Sequence, residues 1–281
     1  MAHIILTGAT GQAGAEVLAH ALNSSTISRV SILSRRPVKL AENEPKANVI
    51  LHTDFEQYPG NVLDQLKGAT GCIWAQGISS AGMKEDDYTK ITVDYPVAAA
   101  KAFAGLGSKM NFIYMSGEGA DISGNATMMF GRVKGRAERE LLNMQAGHAS
   151  LKVYAIRPAI INPNGRYLAE RAIKLQDRAA TWLGKAASLV RPSFEIPADG
   201  LAKACVDLAA GDGEPIPAGK GVEESGRLLS NIALRRLAGE VNNYAPQRAS
   251  FSAEEDWFRW TMKSAAAGRQ FGTLREVNEY A

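Results

Sequence analysis

The run Thr7-Gly8-Ala9-Thr10-Gly11-Gln12-Ala13-Gly14 constrains this chain more than any other feature. It follows a short apolar run, His3 to Thr7, and opens a segment with helical periodicity, Gln12 to Leu22. A strand that passes through a glycine turn straight into a helix is the start of a βαβ unit, and it is the context a dinucleotide-binding turn requires. Gly8 permits the tight turn, Gly11 lets the backbone approach a pyrophosphate with no Cβ in the way, and Gly14 lets the helix pack close to the strand. The unpaired amides of the helix N-terminus then face the phosphates. The competing reading is an ordinary glycine-rich turn that holds no ligand.

Further strand candidates follow at Arg29 to Ser34, Asn48 to His52, Gly71 to Ala75, Asn111 to Met115 and Leu151 to Ile156. Helical periodicity lies between them at Val62 to Leu66, Asp86 to Ala104 and Thr127 to Gln145. This alternation predicts an α/β fold with one doubly wound parallel sheet, mostly complete by residue 160. Beyond Arg157-Pro158 the spacing predicts helices over Arg166 to Leu183, from Pro197 to Ala210 and over Ser230 to Val241, forming a small C-terminal substrate lobe. Residues 1–240 are expected to form a single domain with pocket segments after 158, and 241–281 a helical extension. In that extension Trp257, Phe258, Trp260 and Met262 fit one apolar helix face, which could dock on the body, pair subunits or touch a membrane.

Composition excludes several classes of function. With 46% hydrophobic and 22% charged residues in a chain of 281, a sizeable core can form. A net charge of +3 calls for no nucleic acid or anionic membrane. Cys72 and Cys205 stand far apart in apolar runs and read as buried thiols. His3, His20, His52 and His148 share no metal-ligand spacing, and no nucleophile elbow appears. The start of the chain shows no secretory leader, and no apolar run reaches the roughly 18 residues of a membrane span. A soluble cytoplasmic protein that acts on a small-molecule substrate and could form a homo-oligomer is the expectation.

Which dinucleotide would bind depends on the end of the second strand. About 20 residues after the glycines an NAD site carries a carboxylate for the ribose 2′-hydroxyl. Here the chain reads Ser34-Arg35-Arg36-Pro37, so the Arg35 guanidinium and the Ser34 hydroxyl are expected to clamp a 2′-phosphate, with Arg36 beside them. The predicted cofactor is NADP(H); two solvated surface arginines are the alternative. Asp54-Phe55 after the third strand is expected beside the adenine, the carboxylate accepting from its amino group and the ring lying along the base. Ala75-Gln76-Gly77 after the fourth would let the backbone run along the cofactor.

In this order, TGATGQAG, SRRP, DF, AQG, then Tyr114-Met115-Ser116-Gly117, Lys134 and Arg157-Pro158, the chain resembles the short-chain dehydrogenase/reductase superfamily, and within it the atypical epimerase-like or NmrA-like branch. The similarity covers about residues 1 to 240. It implies a Rossmann domain with the substrate pocket built after strands four to six, and Pro158 among the cofactor-facing positions. It also implies a Tyr and a Lys on one helix face, the Lys holding the ribose and lowering the Tyr pKa, the Tyr passing the proton, and a Ser polarising the substrate oxygen. Mapped here, the Ser is Ser116 and the Lys is Lys134, but the Tyr position is Phe130, and an Asn of the preceding long helix is replaced by Asp94.

A phenyl ring transfers no proton, so three explanations stand: another acid substitutes, with Tyr114, Glu118 and Tyr167 as candidates, water or the substrate delivers the proton, or the protein binds cofactor without redox turnover. Tyr114 shares a strand face with Ser116. Glu118 lies in a glycine-flanked loop where burial could raise its pKa. Asn162, Tyr167 and Trp182 are candidate pocket contacts. The expected function is an NADPH-dependent reductase or isomerase of a small organic carbonyl compound. The alternatives are a non-redox NADP(H)-binding sensor or scaffold, and a cyclising or epimerising catalyst that retains its cofactor.

Overall fold

A computed structural model of the chain describes residues 1–166, 168–170 and 194–240. Tyr167, Trp182, most of the helix expected over Arg166 to Leu183, and the extension with Trp257, Phe258, Trp260 and Met262 lie outside them.

Apolar β-branched runs form the strands β1 (Ala2–Thr7), β2 (Ile27–Ser34), β3 (Ala47–Leu51), β4 (Gly71–Trp74), β5 (Met110–Met115) and β6 (Leu151–Arg157). Two shorter strands follow, β7 (Ile160–Asn162) and β8 (Glu195–Pro197), then β9 (Val222–Glu223) and β10 (Leu228–Ser230). The main sheet has the order β3-β2-β1-β4-β5-β6-β10-β9. All its pairings are parallel except that of β9 with β10. The sheet therefore extends past residue 160, because β10 pairs with β6 at Leu228↔Ala155 through Ser230↔Arg157. Strands β7 and β8 form a separate parallel pair. This is a Rossmann-like α/β fold whose strand order reverses between β1 and β4, the crevice where such sheets bind ligands.

The helices are α1 (Gln12–Asn23), α2 (Gly60–Leu66), α3 (Glu85–Thr89), α4 (Tyr95–Phe103), α5 (Met129–Met144), α6 (Ala198–Ala210) and α7 (Asn231–Ala238). Strand alternation sends Ile4, Leu6, Val30 and Ile32 to one face, where α1 and α6 cover them, and Ile5, Leu33, Phe112 and Tyr114 to the other, under α4 and α5. Between α3 and α4 the helix widens into a π turn, Lys90–Asp94. Pro96 has no N–H to offer the Thr92 carbonyl one turn back, and the Tyr114 hydroxyl donates to that oxygen instead at 3.1 Å. Cys72 and Cys205 are both buried free thiols, and burial pushes Cys205 up to about 12.

Candidate functional site

The glycine turn stands at the switch point, where Thr7 is in register with both Leu33 and Trp74. Gly8 has φ +71°, and a Cβ there would come within 2.4 Å of the Ala75 carbonyl oxygen, so the turn lies directly on the loop after β4. The Gln76 amide donates to Thr7 Oγ1 at 3.3 Å and holds the two loops together. A Cβ on Gly14 would stand 2.1 Å from the Gly8 oxygen, which is how close α1 packs on the turn. Gly11 caps α1 with no side-chain hydrogen bond, and the first turn carries no acid. Its amides, beside half-buried Thr10, are thus uncapped and uncompensated, as an anion site requires.

Arg35 and Arg36 are exposed and make no ion pair among the described residues. Ser34 differs from expectation: its hydroxyl donates to the Arg36 carbonyl at 2.7 Å and accepts the Arg36 amide at 3.3 Å, so its proton shapes the loop that presents the arginines. Phe55 also departs from its expected role. At 1% exposure it is core, with ring centroids 5.2 Å from His52 and 5.9 Å from both Trp74 and Tyr95, and it offers no face to a base. Asp54 is exposed and accepts the Glu56 amide at 3.0 Å. Gly77 is exposed and open, with nothing within 4 Å of a Cβ placed there.

Across the crevice, Ser116 follows β5, 4% exposed, and its Oγ is buried without a hydrogen-bond partner among the described residues. The Ser116 carbonyl accepts from Lys134 Nζ of α5 at 2.5 Å. One turn before Lys134, the Phe130 ring lies under the ammonium, 5.6 Å from centroid to Nζ. A Cβ at Gly117 would be 3.5 Å from Nζ and equally far from two Phe130 ring carbons. The geometry thus brings Ser116, Gly117, Phe130 and Lys134 together. Burial pulls the Lys134 amine down to about 8, against the upward pull of Glu138 one turn further on.

Two of the candidate proton donors, Tyr114 and Glu118, are engaged by other partners. Tyr114 is 2% exposed with its hydroxyl committed to Thr92, and burial pushes its phenol well up, so it is a core residue. Glu118 accepts the Asn231 amide at the start of α7 at 3.5 Å, while its own amide donates to the Pro158 carbonyl at 3.0 Å. Asp94 is exposed at the end of the π turn, where its charge reaches Arg136, so the buried polar residue of that turn is Thr92. Asn162 donates through its side-chain amide to Glu195 and accepts the Asn164 amide at 2.9 Å. Gln12 donates to the Ile161 carbonyl at 3.3 Å, and Arg166 stands 3.5 Å from the buried Glu16, so the segment after β7 lies over the first turns of α1.

Sequence reasoning passed over Glu138, whose spacing from Lys134 on one helix face was the available signal. Its carboxylate accepts from Arg157 Nε at 2.9 Å and Nη2 at 2.6 Å. It passed over Asn231 as well, which accepts the Ala159 amide at 2.9 Å and fixes the turn after Pro158. No group of metal-ligating side chains occurs among the described residues.

No family model matches the chain. It is 33% identical to the leucinostatins biosynthesis cluster protein T of Purpureocillium lilacinum over 271 residues, 87% of this chain and 98% of that protein. It is 28% identical to the mitochondrial protein fmp52 of Emericella nidulans over 225 residues, 78% of this chain and 92% of the relative. Among solved structures it resembles vestitone reductase from alfalfa (Medicago sativa), with TM-score 0.56 and 18% identity over 75% of this chain and 74% of that one. It also resembles the Bordetella bronchiseptica enzyme WbmF in complex with NAD+, with TM-score 0.58 and 13% identity over 95% of this chain and 94% of that one. At those identities the two structures share the fold.

Proposed function

We propose that the chain is a short-chain dehydrogenase/reductase, a reading its Rossmann-like sheet and its likeness to vestitone reductase support, and from that premise that it is an NADPH-dependent reductase or isomerase of a small organic carbonyl compound. The observation that carries this reading is the buried, unpartnered Ser116 Oγ at the end of β5, beside Lys134 and across the crevice from an uncapped helix N-terminus. A buried hydroxyl without a partner is costly unless a ligand atom completes it.

The residues present fit a nicotinamide dinucleotide. Gly8, Gly11 and the amides of Gln12, Ala13 and Gly14 would hold the pyrophosphate, and Arg35 with Arg36 the 2′-phosphate. The fit argues against two of the expected contacts: Phe55 is core, and Ser34 serves the loop. Thr7, Ala75, Gln76 and Gly77 would line the crevice, and Pro158 its far wall. A bound reduced nicotinamide supplies a hydride. Ser116 Oγ–H donates to the substrate oxygen and stabilises the charge that develops there. Lys134, anchored by the Ser116 carbonyl, holds its ammonium beside the same oxygen and the cofactor ribose.

The test mixes the full chain with NADPH and a panel of phenanthrenequinone, para-nitrobenzaldehyde and cyclohexenone, following the reduced-nicotinamide absorbance. We expect oxidation with at least one of them, reduced at least about tenfold by Ser116→Ala. Unchanged turnover in that variant removes Ser116 from the mechanism. Phe130 favours a second reading, cofactor binding without net turnover, and steady NADPH oxidation excludes it. No helix among the described residues is long and apolar enough to cross a membrane. We assign the protein to the cytoplasm, which cell fractionation tests against the location in the relative's name.

A further inference from the structure

We infer that Lys134 Nζ is itself the proton donor to the substrate oxygen, replacing the hydroxyl that position 130 lacks. This rests on the reductase reading above. Reducing a carbonyl needs a hydride at carbon and a proton at oxygen, and the site's other groups are committed elsewhere. Phe130 has no acidic proton. The Tyr114 hydroxyl is sealed in the core on the Thr92 carbonyl, and the Glu118 carboxylate turns to the Asn231 amide. Glu138 and Arg157 hold each other through two hydrogen bonds. Among the described residues of the site, the remaining titratable proton is on Lys134, which spends one of its N–H groups on the Ser116 carbonyl.

The charge environment suits that role. The charge that acts on Nζ is Glu138, one turn further along the same helix, and Arg157 on β6 holds that carboxylate through two hydrogen bonds. The π face of the phenyl ring at position 130 lies 5.6 Å from the ammonium and helps keep it in place. Burial brings the amine down to about 8, close enough to neutrality to lose and regain a proton in each cycle.

In the step, a hydride from the reduced nicotinamide forms the new C–H bond at the carbonyl carbon. The π pair moves to oxygen, which forms an O–H bond with the Lys134 proton as the N–H bond breaks. The neutral amine then takes up one proton from the buffered solvent, so the cycle consumes one solution proton and leaves an alcohol and the oxidised nicotinamide.

Site-resolved acetylation of the full chain with acetic anhydride over a pH series, read by mass spectrometry, titrates Lys134 without substrate. Half-maximal reactivity near pH 8 is expected; a titration in the ordinary lysine range overturns the proposal. NADPH titration by fluorescence separates the two readings, since no saturable binding in the wild type overturns the reductase reading itself. With the panel compound that the wild type reduces, Lys134→Met should lose at least about a hundredfold in kcat, and Lys134→Arg should not recover it, because a guanidinium does not release its proton. Adding Phe130→Tyr to Lys134→Met should restore at least tenfold. A Lys134→Met variant that weakens NADPH binding with kcat unchanged reduces the lysine to an anchor and overturns the proposal.

Discussion

Replacing Glu138 by alanine should destabilise the protein by about 3 kcal/mol. The carboxylate is wholly buried, at 0% exposure, and its partner Arg157 is 13% exposed. Two short hydrogen bonds, 2.9 and 2.6 Å, join them. Removing one member of a buried ion pair leaves the other charge desolvated, at a cost of roughly 3–5 kcal/mol. Arg157 keeps one weak alternative, Glu223 at 3.8 Å, which is 57% exposed, so the lower end of that range applies. For a folded body of this size each kcal/mol shifts Tm by about 2–4 °C, so a fall of about 6–12 °C is expected. Thermal and urea unfolding at neutral pH measure it. Replacing both residues by Met removes both charges and should cost less than Glu138→Ala alone. A fall below about 2 °C for the single variant, or a double variant less stable than the single, would refute the reasoning.

Gly135→Ala places a Cβ 1.8 Å from the Asp121 carbonyl oxygen, so α5 must move off the preceding loop, costing about 1–3 kcal/mol or more and displacing Lys134; urea unfolding reads the loss. His3, buried against Ser31 Oγ at 2.8 Å, is drawn down to about 4 by burial and by Arg29. Between pH 6.5 and 4 the unfolded chain binds a proton that the native state refuses, so stability should fall as pH drops through that window. His3→Gln should flatten the slope in pH-dependent melts. Lys134 makes the matching prediction at high pH: its native amine titrates near 8 against 10.5 unfolded, so its cost to stability is present below 8 and relieved as pH rises between the two. Lys134→Met should remove that rise.

The sheet was readable from the chain as far as β6 because each of those strands is a continuous apolar run bounded by turn residues and followed by a helix-period segment. The last two strands of the sheet, β10 and β9, were not. Leu228–Ser230 and Val222–Glu223 are too short for any periodicity, and their pairing with β6 and with each other is a tertiary fact. At the site, the glycine turn is a local signal, and its packing rests on the loop after β4 through the close approach of Gly8 to Ala75. Phe55 misleads because an aromatic after a strand looks the same whether it turns to a groove or into the core. Ser34 misleads because a hydroxyl facing its own loop is invisible in sequence. Glu138 needs Arg157 from another strand to show what it does, while the unusual phenyl of Phe130 is plain from the sequence and gains its meaning only when the structure sets it under Lys134.

Binding of the two dinucleotides to the purified full chain tests the central claim most directly. Calorimetric titration should give an affinity for NADPH at least about tenfold above that for NADH, since a charge-assisted hydrogen bond to a phosphate contributes roughly 1.5–3 kcal/mol. Arg35→Ala/Arg36→Ala should abolish that preference while leaving NADH binding unchanged. No saturable binding of either dinucleotide, or equal affinity for both in the wild type, would contradict the account.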